Sequence, residues 1–211
     1  AVNYVLDCLR YNGQVLGREL PVSMDGAIFT ARVVCPESNS LHPDFHSPQV
    51  KHAMDILADS GLLQPKIKVI GEDMNSDPSD GCGERDWQIL YTSYLHTCSP
   101  IRCGEHFQPV PLYRLPAVAN GDQKQIIKWQ EDWSACDQLQ MNGSVVEHPS
   151  LYEISSSKSL LFRRGWDLCR RIKVVSGIPT YLYIYRVGGK SKEEELARKC
   201  PKCEGDWKLD E

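Results

Sequence analysis

The chain has 211 residues, 41% apolar and 25% charged, with a formal net charge of -4. These are the proportions of an ordinary soluble globular protein with room for an apolar core. They argue against uniform polyanion binding, and no apolar run approaches the roughly 18 residues that a membrane-spanning helix needs.

The first segment, AVNYVLDCLRYNG, lacks a basic leader and its apolar run is short. It reads as a strand over Val2 to Leu9 rather than a signal peptide. Ala27 to Cys35 is a second β-branched and aromatic run. Ser47 then caps a helix with Pro48 at its first position. Val50, Ala53, Met54 and Leu57 follow at i, i+3, i+4 and i+7, and Gly61 stops it. Lys66 to Gly71 reads as another strand. The expected fold class is α+β, opening with a β-β-α-β unit over residues 1–72.

Glu72 to Asp86 holds six acids and one base without apolar periodicity. It reads as a solvated loop or linker over 73–86, before a C-terminal region over 87–211. There Trp87 to His96 and the stretch through PVPLYRLP suggest strands. Asp122 with Gln125 resembles a capping box, and Ile126, Trp129, Trp133 and Cys136 make the stripe of the helix that follows. A further helix is expected from about Ser157 to Val174, then a strand in PTYLYIYRV.

The nine cysteines are an odd number, and several, such as Cys8 and Cys35, sit among apolar neighbours. That usage suits a reducing cytoplasm better than a secreted disulfide framework. Cys200-Pro201-Lys202-Cys203, followed by a glycine, has the form of a zinc-gripping turn. One such turn supplies half a site. Cys103-Gly104-Glu105-His106 offers the other half at the same spacing. The expected site is one structural Zn2+ held by Cys103, His106, Cys200 and Cys203, with Cys98 the rival fourth ligand. The intervening residues form a folded insertion, which the logarithmic growth of loop-closure cost allows.

Catalytic zinc is not indicated. No His is followed two residues later by Glu, HExxH is absent, and Cys200 is preceded by Lys199 rather than Pro. Walker, GxGxxG and GxSxG patterns are absent too, so the expectation is a protein that is not an enzyme. A Cys nucleophile with a distant His stays open.

The stretches SPIRCGEHFQPVPLYRLP, GIPTYLYIYRVGGKS and RKCPKCEGDWKL resemble a bacterial family of uncharacterised proteins, the domain of unknown function 2310. The resemblance covers Trp87 to the C-terminus. It implies a cytoplasmic protein closed by a zinc ribbon, and a nucleic-acid-binding label that is itself an inference from the ribbon. The family's first turn is usually CGxC; here His106 stands at its second ligand position.

Charge supports such a surface in part. From Lys158 onward there are thirteen bases and eight acids, a net of +5, against -9 for the remainder. Arg163 with Arg170 and Arg164 with Arg171 recur at seven residues on the expected helix, opposite Leu161, Leu168 and Ile172. They are the expected phosphate contacts for RNA or DNA. A solvated helix face pairing with the acidic half is the plainer alternative. Tyr181, Tyr183 and Tyr185 share one strand face, either as a stacking platform for bases or as packing in a two-sided sheet. Lys190, Lys192, Arg198, Lys199, Lys202 and Lys208 surround the second turn, interleaved with Glu193, Glu194 and Glu195. A second class of function is a protein-protein adaptor without nucleic acid.

Overall fold

The computed structural model describes residues 1–189, 191–201 and 203–206. It opens with a helix, α1, over Val2–Asn12, where the sequence suggested a strand. Val2, Val5, Leu6 and Leu9 recur at helical spacing, and burying that stripe outweighs the β preference of the valines. Gly13 ends the helix at φ 82°, a left-handed cap open to glycine.

Next come two short strands, β1 (Val22–Asp25) and β2 (Ile28–Ala31), an antiparallel hairpin with Asp25 opposite Ile28. The second run is therefore a strand, though four residues long and exposed. Helix α2 (Pro48–Asp59) forms as the sequence suggests: the Ser47 hydroxyl accepts from the Val50 amide at 3.3 Å. Val50, Ala53 and Leu57 are buried against α1. Lys66 to Gly71 forms no strand; it is exposed and unpaired to any ladder. The order is thus α-β-β-α rather than β-β-α-β.

The second part is built on β3 (Gln88–Leu90), β4 (Ile101–Cys103) and β5 (Thr180–Leu182). β3 is central, antiparallel to β4 and parallel to β5; the row Cys103, Gln88, Thr180 crosses the sheet at one end. The expected strand beyond β4 reduces to one bridge, Arg102 to Pro109, followed by a 3-10 turn at Leu112–Arg114.

Helix α3 (Lys124–Asn142) buries Ile126, Trp129 and Trp133, with Cys136 packed beside them. Helix α4 (Glu147–Ser155) carries only Leu151 and Ile154 as an apolar pattern, too little to mark it in sequence. Helix α5 (Leu160–Ser176) is capped by Ser159 accepting from the Phe162 amide at 3.0 Å, and it buries Leu161, Leu168 and Ile172. With Leu90, Ile101, Cys103 and Val110, these side chains form one core. A short helix, α6 (Lys192–Leu196), follows. The fold is mixed α+β with small sheets; no helix among the described residues is long and apolar enough to cross a membrane.

Candidate metal centre

The end of β4 turns sharply at Cys103. The Cys103 amide donates to the Gln108 carbonyl at 2.9 Å, the Phe107 amide donates back to the Cys103 carbonyl at 3.0 Å, and Phe107 has φ 57°. Gly104 sits under the indole of Trp87 and donates to its carbonyl at 3.0 Å. This turn sets the buried Cys103 thiol beside the imidazole of His106, Sγ to Nδ1 3.5 Å.

The acidic segment supplies the facing wall. It has no helix or strand, yet part of it is not solvated: Asp80 is 1% exposed. Its amide donates to the Pro109 carbonyl at 2.9 Å. Arg102 pairs with Asp77 at 2.6 Å, which pins the same segment to β4. Asp80 Oδ1 then lies 3.5 Å from His106 Nδ1. One ligand atom each from Asp80, Cys103 and His106 falls within 4.8 Å of the others, the one such group among the described residues. Cys82, half-buried, places its Sγ 3.7 Å from the same Nδ1.

One feature fits this group to a cation. Asp80 Oδ2 is buried and accepts no hydrogen bond; its nearest charge is Arg85 Nε at 3.7 Å. Leaving a buried carboxylate oxygen unmatched is costly unless something positive meets it. Burial pushes the Cys103 thiol up, and its hydrogen bond to the Glu105 carboxylate, 2.9 Å away, raises it further, so the metal-free site favours the protonated thiol and an ion must displace that proton to bind. The hydrogen bond from Cys103 holds Glu105 below the usual carboxylate range. Glu105 also accepts from the Asp86 amide at 2.9 Å, tying the two segments on the far side of the group.

Of the expected ligands, Cys103 and His106 therefore meet. Cys200 and Cys203 are not in their group. Their turn is closed by the Cys200 amide on Gly205 and the Glu204 amide on Cys200, both at 2.8 Å. Pro201 lines a groove with Ile184, Tyr185, Arg186 and Val187, past the end of the sheet opposite the Cys103 row. Cys98 is buried elsewhere, accepting from Arg102 at 3.0 Å. Lys190, Lys202 and Lys208 lie outside the described residues.

Asp80 falls in the acidic segment, whose composition reads as a linker, so sequence alone does not single it out. A signal was present: Asp80-Gly81-Cys82-Gly83 places a thiol in a stretch without apolar residues, where it cannot be a core cysteine.

The four arginines of α5 divide. Arg164 pairs with Asp132 at 2.5 Å and Arg171 with Asp167 at 2.9 Å. Arg163 and Arg170 are exposed, in line with Trp166 and Lys173, and make no ion pair among the described residues. The tyrosine face is engaged by packing: Tyr181 meets Trp87 edge-on at 5.8 Å, and Tyr183 lies between Tyr91 and Trp133.

Family models match three stretches: residues 82–185 to the domain of unknown function DUF2310, 1–71 to DUF8589 and 189–211 to DUF8594, both also described as domains of unknown function. Two uncharacterised proteins of Haemophilus influenzae are similar. One is 45% identical over 212 residues, covering 99% of this chain and 81% of its own length. The other is 47% identical over 149 residues, covering 71% and 73%. No solved structure matches. On the breadth of the first relationship and the match through the candidate metal centre, the chain belongs to the bacterial DUF2310 family.

Proposed function

We propose that this chain is a zinc-binding protein whose metal fastens the 80–86 segment to the turn after β4, a structural and not a catalytic role. The observation that carries the reading is the convergence of Asp80, Cys103 and His106 on one point, with Asp80 buried and its second oxygen met by Arg85 alone. Sulfur, imidazole and carboxylate donors together suit Zn2+. The odd number of cysteines, nine, several of them among apolar neighbours, supports a reducing, cytoplasmic setting. Elemental analysis of protein purified without chelator tests this: about one zinc per chain is expected. Less than a tenth of that, with no uptake on dialysis against zinc, overturns it.

A second reading concerns the partner. Arg163, Trp166 and Arg170 form an exposed stripe of two cations, without an ion pair among the described residues, flanking an indole that is 42% exposed. That arrangement suits a phosphate backbone with a base stacked on the ring. Two phosphate contacts to a single strand predict a salt slope near -1.4, from about -0.7 each. Filter binding of single-stranded RNA and DNA at rising salt measures it. No retention at low salt ends the nucleic-acid reading and leaves the protein-adaptor reading, which a pull-down surviving nuclease treatment would favour.

A further inference from the structure

We infer that Cys82 is the fourth ligand, so that the metal is held by an Asp-x-Cys pair from the acidic segment and a Cys-x-x-His pair from the turn after β4. The inference rests on the zinc reading above and deepens it by assigning the complete donor set and placing it wholly within residues 80–106.

Distances argue for it. A tetrahedral zinc lies about 2.3 Å from sulfur, about 2.0–2.1 Å from imidazole nitrogen and about 2.0–2.2 Å from carboxylate oxygen. Two ligands on such an ion are then separated by about 3.5 Å for nitrogen and sulfur and about 3.3 Å for nitrogen and oxygen. His106 Nδ1 stands 3.5 Å from Cys103 Sγ, 3.7 Å from Cys82 Sγ and 3.5 Å from Asp80 Oδ1. These separations match three ligand pairs on one ion, all meeting at the same nitrogen; Cys82 Sγ stands more than 4.8 Å from at least one of the other donors, so its side chain must turn inward to complete the set.

The chain supports this placement locally. The Cys82 amide donates to Asp80 Oδ1 at 3.3 Å, folding the Asp80-Gly81-Cys82 segment so that carboxylate and thiol face one way. Arg85 donates to the Cys82 carbonyl at 3.4 Å from the side bearing Asp80 Oδ2. Each pair is two or three residues apart in sequence, so each grips from a single turn. With two thiolates, one carboxylate and one neutral imidazole, the donors carry three negative charges. The donors with zinc are left at -1, which Arg85 offsets, while Glu105 beside Cys103 keeps its hydrogen bond from the Asp86 amide.

Cobalt(II) substituted into the full chain tests the assignment. One cobalt per chain with tetrahedral d-d bands is expected, and a thiolate charge-transfer band that falls by half in Cys82→Ser and by half in Cys103→Ser. The double variant Cys200→Ser with Cys203→Ser should keep the full band. A Cys82→Ser protein that binds cobalt with undiminished charge transfer overturns the inference while leaving zinc binding intact. So does loss of the band in the C-terminal double variant. Failure of the wild type to bind cobalt or zinc overturns the underlying reading instead. Should Cys82→Ser not fold, X-ray absorption on zinc-loaded wild type decides: two sulfur scatterers are expected, and one sulfur, or three or more, overturns the assignment.

Discussion

At the scale of the residue, the candidate centre depends on a glycine that binds nothing. Gly104 lies between Cys103 and His106, and a Cβ there would fall 2.1 Å from Trp87 Cδ2 and 2.3 Å from Cε2. The indole cannot simply withdraw, because its ring packs edge-on against Tyr181 and its carbonyl holds the Gly104 amide. Gly104→Ala must therefore displace either the ring or the turn. Overpacking of this kind costs about 1–3 kcal/mol. Displacing a ligand turn weakens metal affinity by about 10- to 100-fold, the range for lost outer-shell support. Urea midpoints and a chelator competition measure the two effects separately. A variant matching wild type in both would show that the turn does not rest on Trp87.

At the scale of the element, α5 meets the sheet and α3 through Gly165. Its missing side chain lets Leu182 and the Trp129 indole approach, and an added Cβ would stand 2.8 Å from Leu182 Cδ1 and 2.9 Å from Trp129 Nε1. On an exposed helix, Gly→Ala would stabilise by about 1 kcal/mol. Here the Trp129 Nε1 donation to the Leu161 carbonyl, 3.1 Å, fixes the ring against retreat. Gly165→Ala is expected to lower stability by a net of about 1–2 kcal/mol, since overpacking outweighs propensity. An increase in the denaturation midpoint would sink this account.

The same helices show what sequence reveals. α2 and α5 combine a cap with a stripe long enough to read; α3 has the stripe, but its N-cap is Gln123, without a side-chain cap, rather than the expected Asp122 box, and all three helices form where expected. α1 has the stripe too, but its valines and tyrosine imitate a strand, and only its packing on α2 resolves the ambiguity. Lys66 to Gly71 has strand composition but no partner edge, so composition misleads. At the candidate centre, Cys103 and His106 were legible because ligand spacing is local. Asp80 was not, because what singles it out is burial against Pro109, a contact between segments that no spacing rule encodes.

At the scale of the whole molecule, two apolar clusters must be held together. Several polar links cross between them. The Gln123 amide donates to the Tyr11 carbonyl at 2.8 Å. Glu37 takes Arg114 at 2.6 Å and the Tyr113 hydroxyl, whose pKa burial and that bond raise to about 12. The more buried of the two ion pairs joins α1 to α3 through Arg10 and Glu131. Burial alone would raise the Glu131 carboxyl, but the Lys128 hydrogen bond at 2.7 Å and the Arg10 charge outweigh it and hold it below its ordinary 4.5. A carboxyl depressed in the folded state contributes stability fully above its unfolded value, and loses it as pH falls through the folded one. The contribution is thus present at pH 7 and drains below about pH 4.5. Glu131→Gln removes it at every pH and leaves Arg10, 7% exposed, without a counter-charge there, held by the neutral Gln amide oxygen, the Gly17 carbonyl at 2.7 Å and the Tyr11 ring at 5.3 Å. Breaking a buried pair from one side costs about 3–5 kcal/mol, and the remaining Gly17 bond points to the lower end. Urea denaturation of both proteins at pH 7 and pH 3 should show a gap of about 3 kcal/mol that shrinks on acidification. A gap equal at both pH values would mean that Glu131 serves packing alone, and that the union of the two clusters owes nothing to its charge.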